Sequence, residues 1–365
     1  MGDPHRIGVV GLGVISRAYL DTLVGPSAVR VTAVADLDAS RSAAVAAELP
    51  GVRALSVGDL LSSPDVDTVL NLTIPAAHAE IALGAIAHGK HVYGEKPLAA
   101  ELTEAQAVLE AAAKAAERVG CAPDTVLGTG VQTARAAVDA GSVGRPLFAS
   151  AVMVTPGHER WHPQPDFYYQ PGGGPLLDMG PYYLSSLVQL LGPVRAVIGA
   201  SSRLRAERVI GSGPRAGERI PVEVDSHVSG VLEHEGGALT TITTSFDGVA
   251  TTAAPIEVHG ESGTLTVPDP NNFDGEVRLL ELGGAQWRTL PPSAGYVGAA
   301  RGVGLLDFVA ADGRRAPRAS GELALHVLET MTALLRSSAE GRRIELSTSV
   351  ERPAPVPLTS AEEWR

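Results

Sequence analysis

The sequence predicts two domains, an α/β domain with a doubly wound parallel sheet followed by an α+β domain, and three observations carry this prediction. The chain has 365 residues, whereas single hydrophobic cores rarely grow beyond about 250 to 300 residues. Short apolar runs alternate with helical patterns up to about residue 120, which indicates parallel strands joined by crossover helices. Longer runs with period two follow, and these are typical of antiparallel strands. We therefore expect domains at residues 1–123 and 124–365.

The N-terminal domain is expected to contain four strand–helix units. Each predicted strand is a short apolar run followed by a segment with helical spacing. The predicted strands are IGVV, VTAVAD, TVLNLT and HVYG, and the predicted helices cover residues 14–24, 39–48, 76–87 and 103–119. Thr103 and Gln106 form a capping-box pattern for the last helix, and Gly120 follows its end. The stretch GCAPD then interrupts the pattern and marks the domain boundary.

The C-terminal domain is expected to combine a mainly antiparallel sheet with a few helices. A helical segment is predicted at residues 127–140. The predicted strands lie at residues 147–155, 222–232 and 238–246 and in IEVHG and GTLTV, with turn signals such as EGG and GESG between them. Residues 324–335 place apolar side chains at helical spacing, so a late helix should cover one face of the sheet.

The charge and the cysteine content exclude several classes of protein. The net charge is −12 at pH 7, and such a field repels nucleic-acid phosphates and anionic membrane surfaces. A single cysteine, Cys121, excludes an internal disulfide, and no apolar run reaches the roughly 18 residues of a membrane-spanning helix. The N-terminus lacks the pattern of a secretory signal. We expect a cytoplasmic protein that binds neither nucleic acid nor membrane.

The segment IGVVGLGVIS has the composition of a dinucleotide-binding loop between a strand and a helix. In such a loop the first glycine, here Gly11, permits a tight turn. The second, here Gly13, lets the backbone approach a pyrophosphate at the helix N-terminus. Val14 and Ile15 follow in the same loop and belong to the predicted cofactor site. Ser16 replaces the third glycine of the pattern, and a small side chain there still allows the helix to pack on the strand.

The end of the second strand bears on the choice of dinucleotide. Asp36 lies 25 residues after Gly11, where an acidic side chain accepts hydrogen bonds from the adenosine ribose. Its charge, together with that of Asp38, repels the additional phosphate of NADP and favours NAD. Arg41 leaves NADP possible, because from the next helix it can fold back on that phosphate. The structural alternative makes Asp36 a helix cap and Arg41 a solvated charge.

Polar residues lie at the ends of the last two predicted strands, TVLNLT and HVYG, at the edge where open parallel sheets bind ligands. Thr73 ends the first of these strands and Pro75 and His78 follow it, and we expect His78 to pack or hydrogen-bond beneath the cofactor loop. Glu95 and Lys96 follow the second, directly before a proline that fixes a backbone angle. Taken alone, this Glu-Lys pair fits a turn with a solvated ion pair, but the neighbouring motifs favour a cofactor site.

Five segments carry a family resemblance: GVVGLG, IPAAH, GEKPLA, GGGPLLDMG and IEVHGESGTLTV. They resemble the glucose-fructose oxidoreductase / inositol dehydrogenase / rhizopine catabolism (Gfo/Idh/MocA) family, and the resemblance covers nearly the whole chain. It implies an N-terminal Rossmann domain and a C-terminal domain with an open, predominantly antiparallel sheet that commonly serves as an oligomer interface. A homodimer or homotetramer is expected on that basis. The resemblance also implies that Glu95 lies near the nicotinamide ribose and that Lys96 reaches the reacting oxygen of a sugar or polyol.

The segment GGGPLLDMGPYY joins a glycine-rich loop to a predicted helix, on which Asp178 and Tyr182 share one face at a spacing of four residues. Many members of the family carry histidine at the position of Tyr182, and the D-x-G-x-Y pattern resembles the glucose-fructose oxidoreductase and dihydrodiol dehydrogenase branch. The pKa of a tyrosine, ordinarily about 10, must fall before the phenol exchanges protons efficiently near pH 7. An ammonium within about 4 to 6 Å has that effect, and we expect Lys96 to supply it together with the oxidised nicotinamide.

These residues define a hypothesis for the chemistry. Tyr182 donates a proton in ketone reduction and accepts one in alcohol oxidation, while Lys96 polarises the substrate oxygen. Asp178 orients a substrate hydroxyl. Tyr183 is the alternative proton carrier, but on a helix it lies about 140° away from Asp178. The structural alternative makes Asp178 a helix cap and places both tyrosines in the core.

Aromatic side chains are concentrated around this segment, which favours a carbohydrate or polyol substrate. Six lie between residues 161 and 183: Trp161, Phe167, Tyr168, Tyr169, Tyr182 and Tyr183. Rings stack on the apolar face of a pyranose, while polar neighbours bind its hydroxyls. The predicted substrate residues are Trp161, His162, Tyr168 and Tyr169. Alternatively, the rings fill an interdomain seam or an oligomer contact. His158 and His162 are four residues apart, but nearby prolines and the lack of an obvious third ligand argue against a metal site.

The leading hypothesis is an NAD(P)-dependent oxidoreductase that interconverts a secondary alcohol and a ketone on a sugar, polyol or sugar derivative. Two alternatives are a glycosidase that uses tightly held NAD for transient oxidation and elimination, and a non-catalytic regulator that senses dinucleotide. The glycosidase would retain its cofactor through purification without net turnover. The regulator has no need of Lys96, Asp178 and Tyr182 together.

Overall fold

The structure, a computed structural model, describes residues 3–26, 28–311 and 315–365. The chain forms two compact units. The first comprises Met1–Gly128, Ala294–Leu325 and Pro353–Arg365, and the second comprises Thr129–Ser293 and His326–Arg352. This division differs from the predicted domains at residues 1–123 and 124–365, because two C-terminal segments belong to the first unit.

The first unit contains a parallel sheet with the strand order β3-β2-β1-β4-β5-β6. Its strands are β1 (His5–Val10), β2 (Val29–Ala35), β3 (Arg53–Ala54), β4 (Thr68–Asn71), β5 (His91–Gly94) and β6 (Val119–Cys121). Its helices are α1 (Ser16–Leu23), α2 (Ala39–Glu48), α3 (Val57–Ser62), α4 (His78–Ala87), α5 (Leu102–Ala115), α8 (Val303–Ala311) and α10 (Ala361–Trp364). The strand order reverses between β1 and β4, which is where doubly wound sheets bind dinucleotides. The predicted Rossmann sheet is confirmed.

Helix α5 differs at both ends from the helix predicted over this stretch. Glu101 and Glu104 form its capping box, so the predicted pair beginning at Thr103 was wrong. The acidic pair has the advantage that negative charge is favourable at a helix N-terminus. The helix ends earlier than expected, with Ala116 left-handed at φ 58°. Gly120 then lies inside β6 instead of following the helix.

The segment that returns to the first unit is held there by its apolar helix, α8. Phe308 is fully buried, and its ring lies 5.9 Å from that of Tyr93 on β5. The amide of Cys121 on β6 donates to the carbonyl of Ala319 at 3.0 Å. A helix that is apolar on nearly every side is stable only against a core. This requirement brings α8 back to the sheet.

The second unit is built on a nine-stranded sheet with the order β16-β15-β14-β13-β7-β12-β11-β8-β17. Its strands are β7 (Pro146–Val154), β8 (Val194–Ser202), β11 (His227–His234), β12 (Leu239–Ser245), β13 (Ile256–Gly260), β14 (Gly263–Val267), β15 (Val277–Glu281), β16 (Arg288–Leu290) and β17 (Ile344–Glu345). A separate ribbon pairs β9 (Glu207–Val209) with β10 (Arg219–Pro221). Its helices are α6 (Thr129–Asp139), α7 (Pro175–Leu191) and the part of α9 (Gly321–Glu340) that follows residue 325. Neighbours pair antiparallel except β7 and β12, so the predicted mainly antiparallel sheet is confirmed.

The two faces of this sheet differ. Helices α6, α7 and α9 pack on one face, where Gly199 and Gly230 oppose each other beneath α9. A Cβ on Gly199 would lie 2.3 Å from the carbonyl oxygen of Leu334. Helix α9 can therefore approach the sheet this closely only because the strand residue beneath it is glycine. Large apolar side chains on the opposite face are about half exposed: Phe148, Ile198 and Leu239.

Candidate functional site

The loop between β1 and α1 has the geometry of an anion cradle. Gly11 has φ +92°, and a Cβ there would lie 2.6 Å from the backbone of Leu72, so this turn requires glycine. A Cβ on Gly13 would meet no atom within 4 Å, which leaves open space at the start of α1. The Ser16 hydroxyl donates to the carbonyl of Gly13 at 2.7 Å, and the serine therefore supports the loop that it enters. The N-terminus of α1 opens onto this space, as anion binding requires.

The Asp36 carboxylate is fixed against that loop by two backbone amides. Its oxygens accept from the amide of Leu12 at 2.7 Å and from the amide of Asp38 at 2.9 Å. Asp38, and not Asp36, caps helix α2, so the helix-cap alternative for Asp36 was wrong. Arg41 is 58% exposed, with nitrogens 4.0 Å from the Asp36 carboxylate and 3.6 Å from that of Asp38. It is therefore drawn toward both carboxylates.

Large apolar side chains are exposed at the same edge of the sheet. Val14 and Leu37 are almost fully exposed, and Ile74 is 70% exposed. They follow β1, β2 and β4 respectively, whereas Ile15 packs against the core. Sequence reasoning missed Leu37 and Ile74, although each follows a strand end that the alternation had located. Three exposed apolar side chains at one edge of the sheet fit a flat, partly apolar ligand.

His78 joins the loops after β4 and β5 from below. Its side chain is buried, with Nδ1 2.6 Å from the carbonyl oxygen of Pro97 and Nε2 3.0 Å from that of Thr73. Asn71 extends the network, since its Oδ1 accepts from the Thr73 hydroxyl at 2.6 Å. Pro75 begins a short 3-10 turn in the same loop. Each ring nitrogen of His78 lies within hydrogen-bond distance of a protein carbonyl, so the histidine links the loops after β4 and β5.

The carboxylate of Glu95 has a fixed orientation at the end of β5. The Tyr19 hydroxyl donates to one oxygen at 2.8 Å, and the backbone amide of Lys96 donates to the other at 3.0 Å. Tyr19 is fully buried, and burial together with the charge of Glu95 raises the pKa of its phenol, which keeps it a donor. The buried Cys121 thiol donates to the carbonyl of Glu95 at 3.6 Å. A glutamate fixed in this way differs from the solvated turn considered as the alternative.

In the second unit, close backbone contacts place an aromatic segment beside the start of α7. A Cβ on Gly173 would lie 2.4 Å from the carbonyl oxygen of Phe167, so this approach also requires glycine. On α7, Asp178 lies one turn before Tyr182, whose side chain is buried. The Asp178 carboxylate is 2.9 Å from Nε2 of His158. Sequence reasoning missed this pair because it considered His158 only as a metal ligand and as a polar neighbour of the aromatic residues.

Tyr183, the alternative proton carrier, has a different environment. It is buried, and burial together with the negative charge of Asp269 raises the pKa of its phenol. A raised pKa makes proton exchange near pH 7 less favourable.

Five rings form a closed set of contacts, which we call the aromatic cluster: His158, Trp161, His162, Phe167 and Tyr168. Successive ring centroids lie 5.3, 5.4, 5.4, 4.0 and 4.6 Å apart around the set. Trp161 and Phe167 are 59% and 53% exposed, so the cluster offers aromatic surface to solvent. The predicted substrate residues other than Tyr169 belong to it.

Tyr169 differs from the expectation that it faces substrate. Its side chain is fully buried, and its hydroxyl donates to the carboxylate of Glu159. The buried Arg208 bonds Glu159 at 3.4 Å and Asp247 at 2.5 Å. A buried carboxylate needs such partners because an unpaired charge is very costly inside a protein. Tyr169 therefore anchors the aromatic segment from within.

Comparison with known proteins places this arrangement in a family. Residues 5–122 match the oxidoreductase family with an NAD-binding Rossmann fold, and residues 131–266 match the GFO/IDH/MocA C-terminal domain. Inositol 2-dehydrogenase 3 of Saccharopolyspora erythraea is 30% identical over 268 residues, which cover 73% of this chain and 73% of that protein. The chain belongs to the GFO/IDH/MocA oxidoreductase family. The predicted family and the predicted class of NAD-binding oxidoreductase are confirmed.

Other members of the GFO/IDH/MocA family match over nearly the whole chain. The 1,5-anhydro-D-fructose reductase of Ensifer adhaerens is 29% identical over 357 residues, which cover 95% of this chain and all of that protein. The crystal structure of an NAD binding oxidoreductase from Klebsiella pneumoniae shares the fold with a TM-score of 0.82 at 24% identity, covering 95% of this chain and 100% of that one.

The described ranges contain neither a metal-binding cluster nor a membrane-spanning helix. Within those ranges, no group of three or more histidine, cysteine, aspartate and glutamate side chains is placed to hold a metal ion. Likewise, none of the helices formed by described residues combines the length and apolar character needed to cross a membrane.

Proposed function

We propose that this chain is an NAD-dependent oxidoreductase that interconverts a secondary alcohol and a ketone on a sugar, polyol or sugar derivative. The observation that carries the proposal is the fixed pair of carboxylates, Asp36 and Glu95, at the edge of the sheet that holds the glycine cradle. Two relatives described above are named a sugar reductase and an inositol dehydrogenase, and neither name describes a glycosidase or a regulator.

The first unit has the features needed to bind the dinucleotide. Gly11 and Gly13 admit a pyrophosphate at the N-terminus of α1, and Asp36 accepts from the adenosine ribose hydroxyls. The exposed side chains of Leu37 and Ile74 offer apolar contact to the adenine. Glu95, Thr73 and Pro75 contact the nicotinamide half, with His78 supporting their loops. The bound cofactor supplies a nicotinamide C4 that accepts or donates hydride.

The choice of NAD over NADP follows from the charges around Asp36. The carboxylate is fixed by two amides, so it cannot turn away from an additional phosphate on the ribose. Arg41 is the cation available to that phosphate, but it lies within ion-pair distance of both Asp36 and Asp38. Binding of NADP would pull the Arg41 side chain away from these two carboxylates.

The chemical roles fall to Lys96, Tyr182 and Asp178. Lys96, which follows the fixed Glu95, polarises the reacting oxygen, and Tyr182 gives or takes the proton on that oxygen. Asp178 accepts a hydroxyl of the substrate and orients it. Tyr182 is preferred to Tyr183 because, one turn after Asp178, it shares that residue's face of α7.

The aromatic cluster is the substrate platform in this proposal. Trp161 and Phe167 expose ring faces on which the apolar face of a sugar can stack, while His162 and Tyr168 supply polar groups. Tyr169 is not part of this surface. Its bond to Glu159 instead holds the platform in place.

We also propose a cytoplasmic homodimer or homotetramer. A single buried cysteine fits a reducing compartment. Phe148, Ile198 and Leu239 lie about half exposed on a sheet face, and such a face is stabilised by pairing with a second copy. Ile198→Asp should lower the oligomer mass seen by light scattering, and an unchanged mass would argue against this interface.

The experiment that tests the function is a substrate screen followed by matched variants. Sugars, polyols and keto-sugars are offered with NAD(H) and NADP(H), and absorbance of the reduced nicotinamide is followed. On an active substrate, Lys96→Ala and Tyr182→Phe should each lower kcat by about 10² to 10⁴-fold, the usual contribution of proton transfer or polarisation. Lys114→Ala, at an exposed site on α5, and Tyr183→Phe should retain activity. Turnover of no substrate, or near-normal rates for both variants, would refute the proposal.

A further inference from the structure

The His158–Asp178 pair has a defined hydrogen-bond direction. Nε2 of His158 and Oδ2 of Asp178 are 2.9 Å apart, and the two side chains are only 12% and 17% exposed. An ionised carboxylate only accepts hydrogen bonds, so Nε2 must carry the proton that the pair shares. The proton on Nε2 therefore points at Oδ2 of Asp178 and sets one hydrogen bond to that carboxylate.

The His158 ring is held by its aromatic neighbours. Its centroid lies 4.5 Å from that of Phe246, 4.6 Å from Tyr168 and 5.3 Å from Trp161. The next residue, Glu159, is buried and bonded to Tyr169. Rotation of the imidazole would break these contacts. Its donor nitrogen, and with it the Asp178 carboxylate, therefore has a fixed direction.

His162 provides a contrast within the aromatic cluster. Its Nδ1 accepts from the amide of Gln164 at 3.1 Å, whereas the His158 ring is bonded to a carboxylate. The two histidines share aromatic neighbours, since both contact Trp161 and Tyr168. They differ in the partner of a ring nitrogen, which is a carboxylate for His158 and a backbone amide for His162.

We infer that His158 is a positioning residue for the reaction proposed above, on which this inference rests. By donating Nε2–H to Asp178, it orients the carboxylate that accepts a sugar hydroxyl and couples that carboxylate to the platform on which the sugar stacks. The imidazole therefore determines the direction from which the Asp178 carboxylate accepts the sugar hydroxyl. This role differs from proton transfer, because His158 acts through Asp178.

A double-mutant cycle on an active sugar substrate tests this role. His158→Phe keeps a ring and loses the donor, whereas His158→Gln keeps a donor near the position of Nε2. We expect His158→Phe to lower kcat/KM by about 10 to 100-fold, as for loss of a hydrogen bond to a charged group. His158→Gln should recover most of that loss. In the Asp178→Ala background, His158→Phe should have no further effect, because coupled residues are not additive.

Two controls separate positioning from damage to the fold. His162→Phe alters the same aromatic cluster, but its effect on kcat/KM should be independent of Asp178. The losses caused by His162→Phe and Asp178→Ala should therefore multiply in the double variant. The Kd for NADH should stay unchanged in the His158 and Asp178 variants, because the dinucleotide residues belong to the first unit. Long-range ¹H–¹⁵N spectra of the histidines should show His158, identified by the signal missing in His158→Gln, with a proton on Nε2.

The outcomes separate this inference from the proposed function. Wild-type protein without turnover of any sugar refutes the function, whereas an active enzyme with unimpaired His158→Phe refutes only the inference. The inference is also refuted if His158→Gln lowers kcat/KM as much as His158→Phe does. It is refuted as well if the losses caused by His158→Phe and Asp178→Ala multiply in the double variant. A neutral His158 protonated only on Nδ1 in the wild-type spectrum would also refute the inference.

Discussion

Replacement of Asp36 by asparagine should change the preference between the two dinucleotides. The Asp36 carboxylate accepts hydrogen bonds from the backbone amides of Leu12 and Asp38 at 2.7 and 2.9 Å, and the Asp36 side chain is 11% exposed. Asparagine keeps one oxygen acceptor and removes the charge. The change therefore tests electrostatic exclusion of a 2′-phosphate with little loss of volume at the glycine loop.

The expected magnitude follows from the distances at this site. Two unit charges about 5 Å apart interact by roughly 3 kcal/mol at an effective dielectric of about 20, the value that suits groups near a protein surface. Loss of one charge-assisted bond to the ribose weakens NADH binding by about 10-fold or more. Arg41, 4.0 Å from Asp36, becomes available to the phosphate. The ratio of Kd for NADPH to Kd for NADH should fall by about 100-fold or more.

Titration of nicotinamide fluorescence measures both constants directly. Arg41→Ala should move the ratio in the opposite direction, because it removes the cation. Asp38→Asn should have a smaller effect than Asp36→Asn, since Asp38 is about half exposed. The gain in NADPH binding should shrink at high salt, because exposed charges are screened. An Asp36→Asn protein with an unchanged ratio would refute the assignment of Asp36 as the discriminating group.

Three further predictions concern buried groups. Tyr19→Phe removes the donor to Glu95 and should weaken NADH binding about 10-fold in fluorescence titrations; an unchanged Kd would contradict the proposed role of that glutamate. Burial raises the pKa of Asp124 to about 6. The stability that this group contributes is therefore present below about pH 4 and is lost as the pH rises through about 6. Relative to wild type, Asp124→Asn should gain roughly 3 kcal/mol of unfolding free energy between pH 4 and 7.5 in urea titrations, and a constant difference would refute this. Arg208→Met leaves the buried Glu159 carboxylate without its cationic partner and should cost about 3 to 5 kcal/mol, or about 10 °C in Tm. Arg219→Met, at an exposed ion pair, should cost under about 1 kcal/mol, and equal losses would argue against the buried network.

Much of the fold was accessible from the sequence. The alternation of apolar runs and helical patterns located four of the strands in the parallel sheet, because fully buried strands need continuous apolar runs. Three short elements were missed, β3, β6 and α3, since two to six residues carry little periodicity. The return of α8 to the first unit was also missed. Its partner ring, Tyr93, lies more than 200 positions earlier in the chain.

The candidate site also contains some residues that the sequence identified and others that it did not. Gly11, Asp36 and the Glu95–Lys96 pair stand at strand ends, so motif spacing was enough to nominate them. The residues that orient them were not accessible, because Tyr19 reaches Glu95 only through folding. Tyr169 was predicted to contact substrate but is buried, because a segment rich in aromatic residues does not reveal which ring points into the core.

The sequence by itself determined the family, the alternation of strands and helices in the first unit, and the residue types of the proposed dinucleotide loop, because these depend on local backbone conformation and short spacing. Tertiary structure alone decided that His158 pairs with Asp178, that His78 joins two loops from below, and that Tyr169 turns inward. Such pairings depend on packing between segments distant along the chain. Local patterns carry no record of which side chains those segments bring together.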